Sequence, residues 1–187
     1  MIIIFYHICA IGNWRNIVIE QLELLEKIPY DQIRIGFLGD KKLIEPFLTD
    51  KIILVANEGE WEYPTLNKLI EYCNINDDHY ICYIHSKGVM SGANNWRQLM
   101  NYWIIERWED NIRYLKEGYD TCGILKLKNH YRGNFWWCNS KFIRGRKPIT
   151  NYNDRLWAEF WLLSKKGKFK SLYQNRKYTS DYLYTVF

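Results

Sequence analysis

The hydrophobic and polar positions in the first half of the chain alternate between two patterns. Continuous apolar runs, typical of buried strands, are separated by segments whose apolar residues recur every three to four positions, as on one face of a helix. In chain order the pattern predicts strand IIIFYHIC, helix NWRNIVIEQLELLEKI, strand QIRIGFLG, helix KKLIEPFL, strand KIILVAN, helix YPTLNKLIEYCN and strand HYICYIHS. Because strands alternate with helices, we expect an α/β sheet that is parallel at least in part.

The second half of the chain begins with a long helical pattern. From Trp96 to Leu115, apolar residues recur three to four positions apart. The pattern then predicts strand YDTCGILKL, the aromatic block HYRGNFWW, the short segment SKFIRG, helix YNDRLWAEFWLLSKKG and strand KFKSLY. No internal repeat, low-complexity run or linker interrupts the sequence. We therefore expect one domain over residues 1–187, a Rossmann-type mixed sheet with helices on both faces.

Composition adds two expectations to this fold. Aromatic residues make up 17% of the chain and nine are tryptophan, more than a core requires, which favours a surface that stacks on flat or ring-shaped ligands. The five cysteines form no CxxC pair and are typical of buried thiols in a reducing compartment, so we expect a cytoplasmic protein. No apolar run approaches the ~20 residues of a membrane helix, and the opening run lacks a basic leader, so we expect neither a transmembrane segment nor a signal peptide.

Charge is distributed unevenly along the chain. The net charge is +5, but the segment up to Leu125 carries 12 basic and 18 acidic side chains, whereas the segment from Lys126 carries 14 basic and 3 acidic ones. The C-terminal third is therefore expected to attract anions such as phosphates, acidic glycans, nucleic acid or a membrane surface. The alternative is a solvated basic tail without a partner.

Ligands of open α/β sheets bind beyond the carboxyl ends of the strands. That rule selects three segments, at 7–13, 57–62 and 85–88. In the last of them His85 and Lys87 could neutralise a diphosphate, and Gly88 would let the backbone approach it. The same four residues, HSKG, are equally consistent with a surface turn, since they form no Walker loop.

Metal ligands and a general base are the next candidates. No HxxxH or HExxH spacing occurs, so a zinc site is not expected. Asp77 and Asp78 could hold Mg²⁺ or Mn²⁺ with phosphates, or could simply cap or turn the chain before the fourth strand. On a helix, Arg155 and Glu159 would form an ordinary i,i+4 ion pair. Alternatively, Glu159 is a general base among aromatic neighbours.

The aromatic block HYRGNFWW allows three interpretations. As core, it would bury about half of its side chains. As a nucleic-acid surface, Tyr131, Phe135 and Trp137 would stack on bases. As a sugar-binding wall, a tryptophan would lie against a pyranose ring while His130 and Asn134 bond its hydroxyls.

Six segments, taken in order, give the chain a resemblance to a known family. FYHICAIGNWRNIVIEQL, WEYPTL, YICYIHSKGV, NWRQLMNYW, HYRGNFWW and RLWAEFWL resemble a small family of GT-A-like glycosyltransferases, with members in large DNA viruses of algae, including chlorella virus, and in cellular organisms. The resemblance spans most of the chain. It implies transfer of a sugar from a nucleotide-sugar donor, most often UDP-linked, to a glycan or glycoprotein acceptor, with inversion.

The resemblance also implies roles for individual residues. The nucleotide side would include His7, Ala10, Gly12, Asn13, Tyr63 and Thr65, together with His85 and Lys87 on the diphosphate. The sugar and acceptor side would include His130, Gly133, Asn134, Trp136 and Arg155, with Glu159 as the catalytic base and His85 and Lys87 assisting it. No D-x-D occurs, so Mn²⁺ or Mg²⁺ would depend on Asp77 or Asp78, or be replaced by His85 and Lys87.

The resemblance sets expectations for location and partners as well. It implies a cytoplasmic protein, in the host cytoplasm if the source is a virus, with no nucleic-acid partner. The alternative, motivated by the aromatic excess and the basic C-terminal third, is a non-catalytic module that binds carbohydrate or single-stranded nucleic acid. Neither kind of binding would need His85 and Lys87 at the end of a strand.

Overall fold

The computed structural model describes residues 1–86, 94–150 and 156–174. Within these ranges the strands are β1 (Ile2–Cys9), β2 (Gln32–Leu38), β3 (Ile52–Ala56), β4 (Tyr80–His85), β5 (Thr121–Gly123), β6 (Trp136–Asn139) and β7 (Phe169–Ser171). The α-helices are α1 (Trp14–Leu25), α2 (Tyr63–Ile75), α3 (Asn94–Met100), α4 (Trp108–Lys116), α5 (Ser140–Ile143) and α6 (Trp157–Phe160).

The seven strands form one mixed sheet in the order β3-β2-β1-β4-β6-β5-β7. Neighbours among β3, β2, β1 and β4 are parallel, β6 runs antiparallel to both β4 and β5, and β7 is parallel to β5. The predicted Rossmann-type mixed sheet is thus confirmed. In this register His7 of β1 lies beside His85 of β4, so the carboxyl ends of the two central strands meet at one edge.

Helices cover both faces of the sheet, as the near-continuous apolar strands predict. On one face the even-numbered residues of β1 pack with α1, α3 and α4. On the other face Ile3 and Phe5 pack with α2 and α5. His7 continues the second row, so the sequence period of two places this histidine under α2.

Three predicted elements form differently. The long helix after residue 96 is interrupted by a π-helical segment, Asn101–Glu106, whose looser turn is supported by Asn111, since its side chain donates to the carbonyls of Trp103 and Arg107 at 2.9 and 3.0 Å. The segment KKLIEPFL forms two short 3₁₀ helices, Lys41–Leu43 and Glu45–Phe47. Only Trp157–Phe160 is α-helical in the described part of YNDRLWAEFWLLSKKG, followed by a 3₁₀ turn at Leu162–Ser164.

Two further observations concern cysteines and membranes. All five cysteines are free, and four of them are buried, whereas Cys9 at the end of β1 is partly exposed. Among the described helices, none is both long and apolar enough to cross a membrane.

Candidate functional site

The carboxyl edge of β1 is covered closely by the start of α2. Thr65, in the first turn of α2, forms a 2.8 Å hydrogen bond with Nδ1 of His7. A Cβ atom at Gly36 of β2 would lie only 1.9 Å from Oγ1 of Thr65. Glycine at position 36 is therefore what lets the N-terminus of α2 reach the edge of the sheet.

His7 is a neutral side chain in this environment. Burial lowers the pKa of His7 from 6.5 to about 4, while Glu62 opposes that shift and His85 adds to it. Its exposed fraction is 5%. At neutral pH the ring therefore carries no charge, and its hydrogen bond to Thr65 fixes its orientation.

Glu62 is the centre of the polar cluster at this edge. It occupies the N-cap position of α2, but its side chain makes no capping bond. Instead, Oε2 accepts a hydrogen bond from the hydroxyl of Tyr83 at 2.7 Å and another from Nδ2 of Asn134 at 2.6 Å. The other oxygen, Oε1, lies 3.9 Å from Nε2 of His85, and the side chain is 18% exposed. Two donors thus hold Oε2, and no hydrogen bond to Oε1 comes from the described residues.

The donors to Glu62 are themselves fixed by packing. The ring of Tyr83 stacks on that of Trp136 at 4.9 Å between centroids. The indole N–H of Trp136 donates to Oδ1 of Asn134 at 3.0 Å, which leaves Nδ2 of Asn134 to face Glu62 and, at 3.4 Å, the carbonyl of Ala158. Asn134 has a φ of 54°, a left-handed conformation that asparagine tolerates better than most residues. The whole arrangement orients one amide group towards one carboxylate.

His85 connects the cluster to the aromatic block. Its Nε2–H donates to the carbonyl of Gly133 at 2.9 Å, and its ring packs edge-to-face on Phe135. Gly133 has a left-handed φ of 79°, and a Cβ atom there would lie 2.2 Å from Sδ of Met100, so a larger residue would be strained and would displace Met100. His85 is 8% exposed and is held at the end of β4 with a defined tautomer on the Nε2 side.

Glu159 and His130 lie near the same cluster. Glu159, in α6, is half-buried, and its charge raises the pKa of Tyr83, although burial and then Glu62 are the larger causes. Burial lowers the pKa of His130, which Glu159 opposes, and the His130 ring packs edge-to-face on Phe160. Two carboxylates, Glu62 and Glu159, therefore act on the same buried tyrosine.

The structure brings some of the predicted site residues together and separates others. His7, Thr65, His85, Gly133 and Asn134 surround Glu62 or its immediate partners, with His130 and Glu159 nearby. Tyr63 and Trp136 are buried, at 0% and 1% exposure. Ala10, Gly12 and Asn13 form the turn between β1 and α1, where Oδ1 of Asn13 accepts from Asn16. Lys87 and Arg155 lie outside the described residues.

The aromatic block itself is mostly core. Residues 131–137 are all buried, because β6 begins at Trp136 and pairs with β4 in the middle of the sheet. Only His130 is partly exposed within HYRGNFWW. Of the three interpretations of this block, packing accounts for its aromatic rings. Among its polar residues, Arg132 is buried, Asn134 is bonded to Glu62 and Trp136, and His130 is partly exposed.

The described residues do not fit a resident divalent cation. Asp77 and Asp78 precede β4 at the opposite edge of the sheet, and Asp78 pairs with Arg144 at 2.9 Å. No group of three histidine, cysteine or acidic side chains within the described ranges could hold a metal ion. At the carboxyl edge, Oε2 of Glu62 already accepts two hydrogen bonds. The expected Mn²⁺ or Mg²⁺ therefore has no ligand set in this part of the chain.

Sequence reasoning missed Glu62 and Tyr83. The strand-end rule selects the segment 57–62 and the quoted segment WEYPTL contains Glu62, but neither pattern assigns a role to this residue. Tyr83 lies within the predicted strand HYICYIHS, and the sequence predicts no separate role for it. The signal for Tyr83 is the alternation of β4, because Tyr83 and His85 fall on the same face and therefore under α2.

A second polar network lies on the opposite face of the sheet. The hydroxyl of Tyr6 donates to Oε1 of Gln21 at 2.5 Å, and Nε2 of Gln21 donates to Asn101 at 3.1 Å and to the carbonyl of His85 at 3.4 Å. Asn101 and Arg97 both donate to Glu20. This network links α1 and the π-helical segment to the carboxyl end of β4, on the face of the sheet that α1 covers.

Fold and site together define an open α/β protein whose polar cluster lies beyond the carboxyl ends of two parallel central strands. The chain belongs to the family described as "Domain of unknown function (DUF8361)", whose model matches residues 5–182. None of the curated proteins matches this chain.

Three solved structures share the fold at low sequence identity. The 4-diphosphocytidyl-2C-methyl-D-erythritol synthase of Anaerococcus prevotii superposes with a TM-score of 0.55 at 11% identity, over 94% of this chain and 88% of that one. HddC of Yersinia pseudotuberculosis gives 0.53 at 9% identity, over 92% and 90%. The bifunctional IspDF of Campylobacter jejuni gives 0.50 at 13% identity, over 92% of this chain and 50% of that one, so this chain spans half the length of that protein.

These comparisons correct the family assignment made from the sequence. The resemblance to GT-A-like glycosyltransferases, the chlorella-virus enzyme included, is wrong as a family assignment: the matching model is that of a domain of unknown function, and no similarity to a glycosyltransferase is shown. The physical reason lies in the segments that carried it. HYRGNFWW is almost entirely core, so its aromatic residues reflect the packing of the sheet more than a chemistry shared with glycosyltransferases.

Proposed function

We propose that this protein is a transferase that acts on a nucleotide-linked substrate at the carboxyl edge of β1 and β4, and that the group it moves is a sugar. The fold supports the first part, since it is similar to that of a protein named for synthesis of a diphosphocytidyl compound. The observation that carries the proposal is Glu62: one oxygen is held by two fixed donors, and the other, near His85, accepts no hydrogen bond from the described residues. Such a carboxylate is suited to accept a proton.

The reaction follows from that geometry. Glu62 takes the proton of an acceptor hydroxyl through Oε1, and the hydroxyl oxygen forms a bond to the anomeric carbon of the sugar. The bond between that carbon and the phosphate oxygen breaks, and the nucleoside diphosphate leaves with the electron pair. Attack from the side opposite to the leaving group inverts the anomeric centre. Tyr83 and Asn134 hold Glu62 in place and do not exchange protons with the substrate.

The leaving diphosphate needs a positive partner. We assign His85 to the diphosphate side by its position at the end of β4, where Nε2 is bonded to the carbonyl of Gly133. Lys87 stays a prediction for the same role. His7, which is neutral, would orient a ligand without adding a positive charge to the site.

Glu159 remains the alternative base. It is half-buried, and its charge raises the pKa of Tyr83. Glu62 is favoured as the base because the hydrogen bond from Tyr83 holds its carboxylate in position. The acceptor implied by two carboxylates is a molecule rich in hydroxyl donors, such as a glycan. The non-catalytic binding module receives no support from the fold comparisons, which favour a transferase.

Nucleotidyl transfer is a second candidate, favoured by the similarity to the Anaerococcus protein. The two reactions differ in their product. Sugar transfer from a nucleotide sugar releases a nucleoside diphosphate, whereas nucleotidyl transfer from a nucleoside triphosphate to a phosphorylated acceptor releases pyrophosphate.

A donor screen tests the proposal. We would measure thermal stabilisation by nucleoside mono-, di- and triphosphates and by UDP-, GDP- and CDP-linked sugars, then assay released nucleoside diphosphate and pyrophosphate separately. We expect stabilisation by a uridine ligand and slow release of UDP from a UDP-linked sugar. Release of pyrophosphate alone would move the assignment to nucleotidyl transfer, and no stabilisation by any nucleotide would overturn the proposed function.

A further inference from the structure

Arg34 is a partly buried cation that forms no ion pair with any of the described residues. It lies on β2 between Ile33 and Ile35, which pack under α1, so its side chain is on the opposite face of the sheet, under α2. Nη1 donates to Oε1 of Gln32. Neither Nε, which is buried, nor Nη2 has an acceptor in the described part of the chain. Because burying an unpaired charge is costly, an anion beside Arg34 would stabilise it.

Two aromatic rings hold the guanidinium in place. Its carbon Cζ lies 4.9 Å from the ring centroid of Tyr72 and 5.8 Å from that of Phe5. The hydroxyl of Tyr72 forms a 2.8 Å hydrogen bond with Nδ1 of His79, which fixes the tyrosine ring. These rings attract the cation but do not neutralise its charge. Burial therefore lowers the pKa of Arg34, and Tyr72 and Glu71 oppose that shift.

Arg34 lines a groove of about 420 Å³ between β3, at the end of the sheet, and the second half of α2. Its apolar lining comes from Ile53 and Val55 of β3 and from Tyr72 and Ile75 of α2. The side chain of Ile75 is 77% exposed. The groove is large enough for a small molecule, since such sites measure about 300 to 1,000 Å³. It therefore joins one cation to an apolar surface.

The charged side chains of the groove sum to one positive charge. Besides Arg34, they are Lys68 and Glu71, which pair with each other at 2.7 Å. A carboxylate would balance the charge of Arg34, whereas a dianionic phosphate would bring a further negative charge to the groove that Glu71 lines. Nη2 of Arg34 can donate to such a carboxylate. The groove therefore fits a monoanion with an apolar body.

We propose that the groove between β3 and α2 is a second ligand site, which binds a carboxylate with an aliphatic or aromatic body. The carboxylate accepts a hydrogen bond from Nη2 of Arg34. The apolar body of the ligand lies against Ile53, Val55 and Tyr72.

This groove and the Glu62 cluster lie at opposite ends of α2. Glu62 directly precedes the helix, whereas Tyr72 and Ile75 are in its last turn. On the sheet, Thr65 covers Gly36 so closely that a Cβ atom there would lie 1.9 Å from its Oγ1. The inference therefore goes beyond the proposed function and does not rest on it.

NMR titration of the full chain with simple probes tests the site. Hexanoate carries both the carboxylate and the apolar body. Acetate carries the carboxylate alone, hexanol carries the apolar body alone, and inorganic phosphate is the dianion. Backbone amide signals and the Nε–H signal of Arg34 report where each probe binds.

Four variants complete the test. Arg34→Met removes the charge with little change in length, and Arg34→Lys keeps the charge but loses the planar fork of donors. Glu71→Gln removes the carboxylate from the groove. Arg113→Met is the matched control: Arg113 also lies over a tyrosine ring, that of Tyr114 at 4.3 Å, but it is paired with Asp110 and Glu117.

We expect hexanoate to bind the wild type at least tenfold more tightly than acetate, hexanol or phosphate, and to shift signals of residues 53–55 and 68–76. Arg34→Met should weaken hexanoate binding at least tenfold, Arg34→Lys less, and Arg113→Met not at all. Glu71→Gln should strengthen it roughly twofold, because a repelling charge is gone. Without ligand, Arg34→Met should keep or raise the melting temperature, since it removes a charge that burial disfavours.

Several results would overturn the site. Hexanoate could shift no signal along the groove at millimolar concentration, or could bind Arg34→Met as it binds the wild type. A lower melting temperature of Arg34→Met with unchanged hexanoate binding would make Arg34 a packing partner of Tyr72 only. Tighter binding of phosphate than of hexanoate would overturn the ligand class.

The test also keeps its force if Arg34→Met does not fold, because Arg34→Lys and Glu71→Gln should then shift hexanoate affinity in opposite directions. Equal affinity in these two variants and the wild type would overturn the site. Nucleotide binding at the Glu62 cluster is measured separately, so the failure of either proposal leaves the other standing.

Discussion

The two faces of the sheet each carry a buried polar cluster, and the two are built differently. Under α1, the hydroxyl of Tyr6 donates to Gln21, which in turn bonds Asn101, and Gln21 and Asn101 are 0% and 2% exposed. Under α2, the hydroxyl of Tyr83 donates to Glu62, whose side chain is 18% exposed and has an oxygen facing His85. The first cluster is buried at Gln21 and Asn101 and reaches solvent at Glu20, whose two carboxylate oxygens are both bonded by Arg97 or Asn101. In the second cluster the donors bond only one oxygen of Glu62, at the carboxyl edge.

The difference separates structural polar groups from functional ones. A group whose polar atoms are all hydrogen-bonded within the protein stabilises one packing arrangement and offers nothing to a ligand. A carboxylate held by two donors on one oxygen and by none on the other is prepared to receive a proton or a hydroxyl. The Glu62 cluster is thus the candidate active site, whereas the Gln21 network is its support.

The strongest test of this contrast is Glu62→Gln. Glutamine can still accept from Tyr83 and Asn134 but cannot take up a proton, so we expect turnover to fall by roughly 10²–10⁴-fold while donor binding stays within threefold. Steady-state kinetics and calorimetry check the two expectations, and circular dichroism confirms the fold.

Glu159→Gln is the comparison variant for that experiment. It should lower turnover less than Glu62→Gln does, since Glu159 acts on the same tyrosine more weakly than Glu62. If Glu159→Gln abolishes transfer while Glu62→Gln remains active, the base is Glu159, the residue that the family resemblance implied.

The next largest effect concerns His7 and the pH dependence of stability. The folded state keeps His7 neutral, with a pKa of about 4 instead of 6.5, because the ring is buried. Unfolding below pH 6.5 therefore takes up a proton, so stability should fall as the pH drops from 6.5 to 4, by on the order of 3 kcal/mol. Urea unfolding at several pH values measures the slope.

His7→Gln provides the control for that slope. Glutamine can bond Thr65 but does not titrate, so the variant should lose less stability between pH 6.5 and 4 than the wild type. Carboxylates that titrate in the same range affect both proteins equally. An identical slope in the two proteins would show that His7 does not carry the pH dependence.

The smallest predicted effects come from a matched pair, Tyr6→Phe and Tyr83→Phe. Each removes one buried hydroxyl that donates to one side chain, on opposite faces of the sheet. Both should lower the free energy of unfolding by about 1–2 kcal/mol. Only Tyr83→Phe should also lower kcat, by about tenfold, since it loosens Glu62.

The matched pair is read out by urea unfolding and by kcat measured well below the melting temperature. Equal losses of kcat in the two variants would remove the functional distinction between the faces. A loss confined to Tyr6→Phe would reverse it.

The sequence predicted the fold of this protein better than its candidate site. β1, α1 and β4 have strong periodicity and short connections, so their existence and the carboxyl edge between His7 and His85 could be derived. The break in the helix after residue 100 could not, because a π-helical turn is stabilised by a tertiary contact from Asn111.

The site required long-range information. Glu62 meets Tyr83 across 21 residues and Asn134 across 72, and both contacts depend on how closely α2 approaches the sheet over Gly36. Trp136 belongs to a segment whose composition is typical of a ligand-binding surface, but its strand pairs antiparallel with β4 and buries it. Local patterns cannot distinguish an inward tryptophan from an outward one when strand order is unknown.

The central claim is that ligand binds on the Glu62 side of the carboxyl edge, and amide hydrogen exchange with and without UDP-glucose tests it directly. We predict slower exchange in the peptides covering 57–66 and 130–136 on addition of the nucleotide sugar, with no change over 108–120. Protection confined to 108–120, or no protection anywhere at saturating ligand, would contradict this account.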